Sequence, residues 1–295
     1  MQLKISNLSK TYPNGVQALK DVSLTINNGL FGLLGPNGAG KSSLMRTIAT
    51  LQDSDTGSIF LDNLDVLNQK DEVRKTLGYL PQEFGVYPNV SAEELLDHVA
   101  LLKGVADKKS RNELVTSLLV QTNLFDVRRK KLGGFSGGMK QRFGIAQALI
   151  GSPKIIIVDE PTAGLDPTER NRFLNLLSEI SEQVIVILST HIVDDVRELC
   201  SQMAIINKGE VMFSGHPQDA IDMVQGKVWR LLTDKNEAKQ IAKEYKVIST
   251  KFNTGKIELH VLNDTHPGNG FEVADAGLED VYFTVINRML AMEMQ

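Results

Sequence analysis

The sequence predicts an α/β fold built on a buried parallel sheet, with antiparallel β structure ahead of it and a small α+β unit behind. Three observations carry that reading. Short aliphatic runs at Phe31–Leu34, Gly78–Leu80, Ile155–Val158, Val184–Leu188 and Met203–Ile206 are apolar throughout rather than alternating, as suits strands covered on both faces. Helix-period segments lie between them. The stretch Leu3–Ile26 instead alternates and is broken by Pro13-Asn14-Gly15, which reads as an antiparallel hairpin.

The elements follow in order. A glycine-rich loop, Gly35–Ser42, reads GPNGAGKS and stands between the Phe31–Leu34 strand and a helical segment from Lys41 to Ala49. Ser91 and Glu94 form an S-x-x-E capping box just before Leu95, Leu96, Val99 and Leu102, and mark a helix start. Phe135–Arg142, FSGGMKQR, opens a further helix that runs through Gln147 and Leu149. After about Gln225 the pattern changes. Lys227–Leu232, Lys246–Lys251 and Lys256–Leu262 read as strands, and 234–245 and 278–289 as helices. The expected division is residues 1–225 and 226–295, the second unit being about seventy residues and near the lower limit for a core of its own.

Composition narrows the function. Of 295 residues, 42% are hydrophobic and 23% charged, with a net charge of −4. That balance excludes a general nucleic-acid binder, which needs a basic excess to neutralise phosphates. The single cysteine, Cys200, allows no intramolecular disulfide and reads as a small buried hydrophobe. No apolar run approaches the ~20 residues that span a bilayer, and the N-terminus lacks a signal-peptide core. The expectation is a soluble, cytoplasmic chain with no direct membrane insertion. Any membrane role then comes through a partner.

GPNGAGKS satisfies G-x-x-x-x-G-K-[ST] in the strand–loop–helix context that gives the pattern its meaning. Gly35, Gly38 and Gly40, with Pro36, Asn37 and Ala39 between them, let backbone N–H groups converge on phosphate oxygens. The helix N-terminus behind them, with Ser43 in its first turn, favours negative charge. Lys41 can reach the β- and γ-phosphates, and the Ser42 hydroxyl can ligate Mg²⁺. Ile155–Glu160, IIIVDE, is a buried strand ending in two acids. Asp159 suits the Mg²⁺ shell, and Glu160 is placed to orient or deprotonate the attacking water. Ser136-Gly137-Gly138 at a helix start is a second phosphate-binding geometry in one chain.

At this point the chain resembles the ABC ATPase family of P-loop nucleotide hydrolases. The family's LSGGQ signature is matched by Phe135, Ser136, Gly137, Gly138 and Met139, with Phe135 for leucine and Met139 for glutamine. The resemblance covers nearly all of the first 225 residues. It implies a RecA-like parallel core, an N-terminal antiparallel β subdomain and a helical signature subdomain. It further implies that Tyr12 stacks on adenine, and that Gln82 contacts magnesium and water and senses a membrane partner. Ala163–Asp166 corresponds to the family's D-loop, which reaches across a dimer, and His191 to the histidine that contacts the γ-phosphate.

The implied function is ATP binding and hydrolysis with Mg²⁺, shared between two copies. In the family the phosphate loop of one subunit meets the signature of the other, so a second ATPase subunit, here a homodimer, is the expected partner. Integral membrane permease subunits are the other, docking near Phe84–Pro88, where Phe84, Val86 and Tyr87 are expected at the surface. The FSGGMKQR form and the ending Gly277–Phe283 resemble stand-alone ATPases of bacterial exporters. The alternative is a soluble ATP-driven switch that works an enzyme or assembly complex. His98, His216, His260 and His266 lack metal-ligand spacing and are given no role.

Overall fold

The computed structural model describes residues 1–82, 84–268 and 270–287. Strands β1 (Gln2–Thr11) and β2 (Gln17–Asn27) form the expected antiparallel hairpin, with Leu3, Ile5, Leu8, Leu24 and Ile26 on the buried face. Gly15 closes the turn at φ +83, and its N–H donates to the Tyr12 carbonyl at 2.9 Å. The chain then enters β3 (Gly29–Leu34), passes through the glycine loop and begins α1 (Lys41–Ile48). Strands β4 (Thr56–Leu61) and β5 (Leu64–Asp65) return to the first sheet, which has the order β2-β1-β4-β5. The sequence reading had not placed these two strands. A short helix α2 (Lys70–Lys75) leads into β6 (Leu77–Leu80).

A helical unit follows: α3 (Ala92–Leu102), α4 (Lys108–Gln121) and α5 (Gly137–Ala148). The capping box at α3 forms as read, with Ser91 and Glu94 exchanging side-chain and backbone hydrogen bonds. Asp107 caps α4 and Ser136 caps α5 by a single backbone bond each, their side-chain oxygens accepting from the N–H groups of Ser110 and Met139. Leu96, Leu119, Leu132 and Phe143 fill this unit's own core.

The chain then alternates β7 (Ile155–Asp159), α6 (Pro167–Ser181), β8 (Ile185–Thr190), α7 (Val193–Leu199) and β9 (Gln202–Asn207), before β10 (Glu210–Gly215) and α8 (Pro217–Asp222). The central sheet has the order β10-β9-β3-β8-β7-β6, parallel except at the β10 edge. Every parallel strand therefore ends at one edge. The glycine loop, Gln82, Glu160, His191 and Lys208 each follow directly from a strand that ends there.

The last part comprises β11 (Val228–Thr233), α9 (Lys235–Glu244), β12 (Lys246–Asn253), β13 (Lys256–Leu262), β14 (Glu272–Val273) and α10 (Leu278–Ile286). Its antiparallel sheet has the order β12-β13-β11-β14. Trp229, Leu259 and Val261 share a core with Ile241 of α9. Val228, Ile248 and Leu262 belong to the main core, together with Val281 and Val285 of α10 and with Val196 and Ile205 of the first 225 residues. Residue 289, to which the last helix was expected to extend, lies outside the described residues.

Candidate functional site

The glycine loop is shaped by close backbone approaches. At Gly40, φ is +111, and a Cβ there would stand 2.5 Å from the Ala18 carbonyl oxygen. No L side chain is accommodated at that position. The N-terminus of α1 that follows has no side-chain cap, so its N–H groups remain available to an anion. Lys41 is 5% exposed, and its ammonium donates to the carbonyls of Gly35 at 2.6 Å and Pro36 at 3.3 Å. Burial pulls the Lys41 ammonium below its ordinary value, against the opposing pull of Glu160 and Asp159. It is a cation held in place beside the glycine loop.

Ser42 and Asp159 meet at the end of β7, where Ser42 Oγ donates to Asp159 Oδ2 at 3.3 Å. Burial pushes the Asp159 carboxyl above the usual carboxylate range, and the neighbouring Glu160 charge adds to that. A buried carboxylate facing a hydroxyl is a hard-oxygen donor set of the kind a magnesium ion takes, and a cation there would relieve the burial penalty. These two side chains fit Mg²⁺.

Glu160 joins the other expected groups. Its Oε1 lies 3.7 Å from Lys41 Nζ, while Oε2 lies 3.2 Å from His191 Nδ1 and accepts from Gln82 Nε2 at 3.4 Å. Its φ of +45 is left-handed for a residue with a Cβ, a conformation that costs about 1–3 kcal/mol and persists only where the surroundings impose it. The imposition is visible: the Glu160 N–H donates to the Ser189 carbonyl at 2.9 Å, pinning the residue to β8.

Lys41, Ser42, Gln82 and Glu160 border a cleft of about 590 Å³ lined also by the rest of the glycine loop and Tyr12, while Asp159 and His191 lie outside its lining, in contact with Ser42 and Glu160. The Tyr12 hydroxyl lies 3.0 Å from both Ser43 Oγ and Gln52 Oε1, which fixes the ring at the mouth. Val16, Gln17, Ala18, Lys20 and Lys208 also line the cleft, and the sequence reading missed all five. Lys208 could not have been found by pattern. It reaches the cleft because its neighbour Gly209 donates to the Ala39 carbonyl at 2.8 Å, a contact across 170 residues.

Ser136, Gly137, Gly138 and Asp166 do not line this cleft. Ser136 Oγ accepts from the Met139 N–H at 3.2 Å, and Asp166 Oδ1 from the Glu169 N–H at 2.9 Å. They stand at the N-termini of α5 and α6, which are joined by an Arg142–Glu169 ion pair packed directly against Gly138. These residues thus lie apart from the cleft lined by the glycine loop. Phe84 corrects an expectation of surface exposure. Its ring turns inward onto Gly144 of α5, since packing there buries aromatic area that the loop cannot otherwise cover, whereas Tyr87 is 68% exposed.

No helix among the described residues is long and apolar enough to cross a membrane. Cys200 is buried, and burial pushes its thiol far up, so the reading of a small core residue holds.

Comparison with known proteins places this geometry. The family model described as ABC transporter matches residues 19–163. The uncharacterized ABC transporter ATP-binding protein YxlF of Bacillus subtilis is 34% identical over 97% of this chain and 99% of its own length. The linearmycin resistance ATP-binding protein LnrL of Bacillus subtilis is 32% identical over 76% of this chain and 72% of its own. The methionine import ATP-binding protein MetN 2 of Pseudomonas entomophila is 37% identical over 72% and 67%. Among solved structures, a dimeric post-hydrolysis state of the ATP-binding cassette MJ0796, bound to ADP and Pi, aligns with a TM-score of 0.66 at 28% identity, over 72% of this chain and 98% of that one. With its phosphate loop, paired acids and signature helix on this fold, and a relative that matches it almost end to end, the chain belongs to the ABC transporter ATP-binding proteins, ATPases that work with Mg²⁺.

Proposed function

We propose that this chain is the ATP-hydrolysing subunit of an exporter and works as a homodimer on the cytoplasmic face of a membrane, docked to integral permease subunits. The observation that carries the dimer is the separation of the Lys41–Glu160 cleft from Ser136 and Gly138, which leaves each surface half of a site. Two copies facing each other complete both. The dimeric cassette among the structural neighbours supports this reading. Export draws on the likeness to a protein named for linearmycin resistance and on the Gly277–Phe283 ending, while the likeness to a methionine import ATP-binding protein makes direction a matter for measurement.

The residues act as follows. Backbone N–H groups of Gly38, Gly40 and the start of α1 hold the phosphates, Lys41 adds charge at the β- and γ-positions, and Tyr12 covers the base. Ser42 and Asp159 would hold Mg²⁺, with Gln82 lining the same cleft, and the ion would supply charge neutralisation at the phosphate oxygens. Glu160 takes the water proton and His191 donates to the γ-phosphate, and their 3.2 Å contact sets the spacing of base and donor. Ser136 and Gly138 of the second copy close the site, with Asp166 at the seam.

Glu160→Gln tests the assignment. It should leave MgATP affinity within about twofold while turnover falls by ~10²-fold or more, as loss of a positioned general base does. Size-exclusion chromatography of the same variant should show an ATP-dependent dimer. Normal turnover would remove Glu160 from its role, and a monomer at saturating ATP would remove the shared site. Transport into inside-out vesicles, measured with the co-purified permease, reads the direction.

A further inference from the structure

Asp195 lies in the first turn of α7 with no exposed surface at all. Its two carboxylate oxygens serve three separate segments. Oδ1 accepts from Arg170 Nε at 2.8 Å and from Nη2 of the same guanidinium. Oδ2 accepts from Thr162 Oγ1 at 2.9 Å and from Thr190 Oγ1 at 3.5 Å. Thr190 Oγ1 in turn accepts from the Ile192 N–H at 2.9 Å, so the loop that carries His191 is closed onto this group.

The positions of these partners give the arrangement its meaning. Thr162 follows Glu160 by two residues. Arg170 sits in the first turn of α6, just past Asp166. Thr190 immediately precedes His191. One buried carboxylate therefore fixes the segment leaving Glu160 on one side and the His191 loop on the other. Taking a carboxylate wholly out of water costs several kcal/mol, and replacing a whole buried ion pair by apolar groups is often neutral or stabilising. What the carboxylate provides and an apolar group cannot is a set of directed bonds to groups on separate segments.

We propose that Asp195 is a positioning residue that holds the Thr162–Arg170 segment and the His191 loop at fixed spacing around Glu160. The inference rests on the reading of His191 as the γ-phosphate donor. Asp195 is fully buried and lines no part of the nucleotide cleft, so it acts through His191. A residue that acts through another loses its effect when the other is removed, because contributions of groups acting as a unit are non-additive.

The experiment measures single-turnover ATP hydrolysis by the full chain, with nucleotide affinity by titration, for Asp195→Asn in the wild-type and His191→Ala backgrounds. Asn keeps the volume but places an amide donor against hydroxyl and guanidinium donors. In the wild-type background the rate should fall by about tenfold or more with MgATP affinity held within about twofold, as a small misplacement of a reacting group does. In the His191→Ala background the same substitution should change the rate by less than about twofold. An undiminished rate, or equal falls in both backgrounds, overturns the proposal. An undiminished His191→Ala variant overturns the assignment of His191 and this coupling with it; a slowed His191→Ala variant with an additive Asp195→Asn effect overturns the coupling alone. Should Asp195→Asn fail to fold, the pair Thr162→Val and Thr190→Val leaves the Arg170 charge pair in place. A fall confined to the background containing His191 supports the proposal, and equal falls refute it.

Discussion

Replacing Gly138 with alanine sets two opposed effects against each other, and the structure decides between them. A Cβ at this position would stand 2.2 Å from Glu169 Oε2 and 2.9 Å from its Cδ and Cγ. Non-bonded contact needs ~3.5 Å, so the carboxylate must swing away by more than an ångström. It is not free to do so. Glu169 holds Arg142, whose side chain is only 8% exposed, and accepts from Arg172 Nη1 at 3.0 Å. Losing a hydrogen bond to a charged group that is mostly buried costs about 1.5–3 kcal/mol. Against this, alanine in place of glycine gains up to ~1 kcal/mol of helix propensity. The net expectation is a loss of about 0.5–2 kcal/mol for Gly138→Ala. In a Glu169→Ala background the obstacle is gone, and the same substitution should stabilise by up to ~1 kcal/mol. Gly137 is the contrast, since a Cβ there meets only Leu165 at 3.7 Å, ordinary contact. Urea unfolding of the nucleotide-free chain followed by far-UV circular dichroism gives the four stabilities. Equal destabilisation in the two backgrounds, or a gain in the wild type, refutes the argument that Glu169 forbids the side chain.

Three further outcomes are expected. Tyr12→Phe keeps the ring and loses the hydroxyl contacts to Ser43 and Gln52, so fluorescent-nucleotide affinity should weaken only a few-fold; Tyr12→Ala removes the stacking surface and should cost ten-fold or more, at ~1–3 kcal/mol per stacked base. His260 Nδ1 lies 2.7 Å from Asp280 Oδ1, and that contact raises the imidazole above its ordinary value near 6.5 despite burial. A raised folded value means stability fully present below pH 6.5 and lost as pH rises through the folded value, so the stability gap between wild type and His260→Gln should shrink across that window in urea titrations. Phe143 is fully buried among the helices of the signature unit; Phe143→Ala should lower unfolding free energy by about 3–5 kcal/mol, and a loss below 1 kcal/mol would show that the core collapses onto the gap.

The parallel strands were legible because burial on both faces leaves no polar residue to blur them, and each observed strand lies within two residues of the run that announced it. β4 and β10 were not. Glu210–Gly215 has no fully buried residue, so nothing in its pattern separates an edge strand from a loop. The hairpin, the capping box at Ser91 and the helix at Ser136 rest on local chemistry and were readable for that reason. The site divides the same way. Asp159, Glu160 and His191 sit at strand ends, and Lys41 and Ser42 at the start of the helix that follows one, where a motif and its geometry coincide. Lys208, Asp195 and the Arg142–Glu169 pair owe their places to contacts between segments far apart in sequence, which composition and spacing do not encode. Phe84 was misread because a loop aromatic is equally apolar whether it faces solvent or a neighbouring helix; the glycine at 144 that receives it is the missing half of the pattern.

The last seventy residues bear on the site through one helix. α10 packs against α7 and α8, and its Val281 and Val285 lie in the same core as Val196, one residue beyond Asp195. At its end the Ile286 carbonyl accepts from Asn207 Nδ2 at 3.2 Å, and Asn207 directly precedes Lys208 at the rim of the nucleotide cleft. His260 and the Gly277 N–H both bond to Asp280, so the C-terminal sheet and the start of α10 are tied together. The C-terminal unit is thus in contact with two of the segments that leave the active edge of the central sheet. α7 carries the carboxylate that fixes the His191 loop, and the β9–β10 turn carries the lysine at the cleft mouth. A close-packed interior transmits displacement rather than absorbing it. Packing at Val281 and Val285 therefore helps to place the α7 turn that carries Asp195, and the Ile286–Asn207 bond the turn that carries Lys208, from outside the nucleotide cleft.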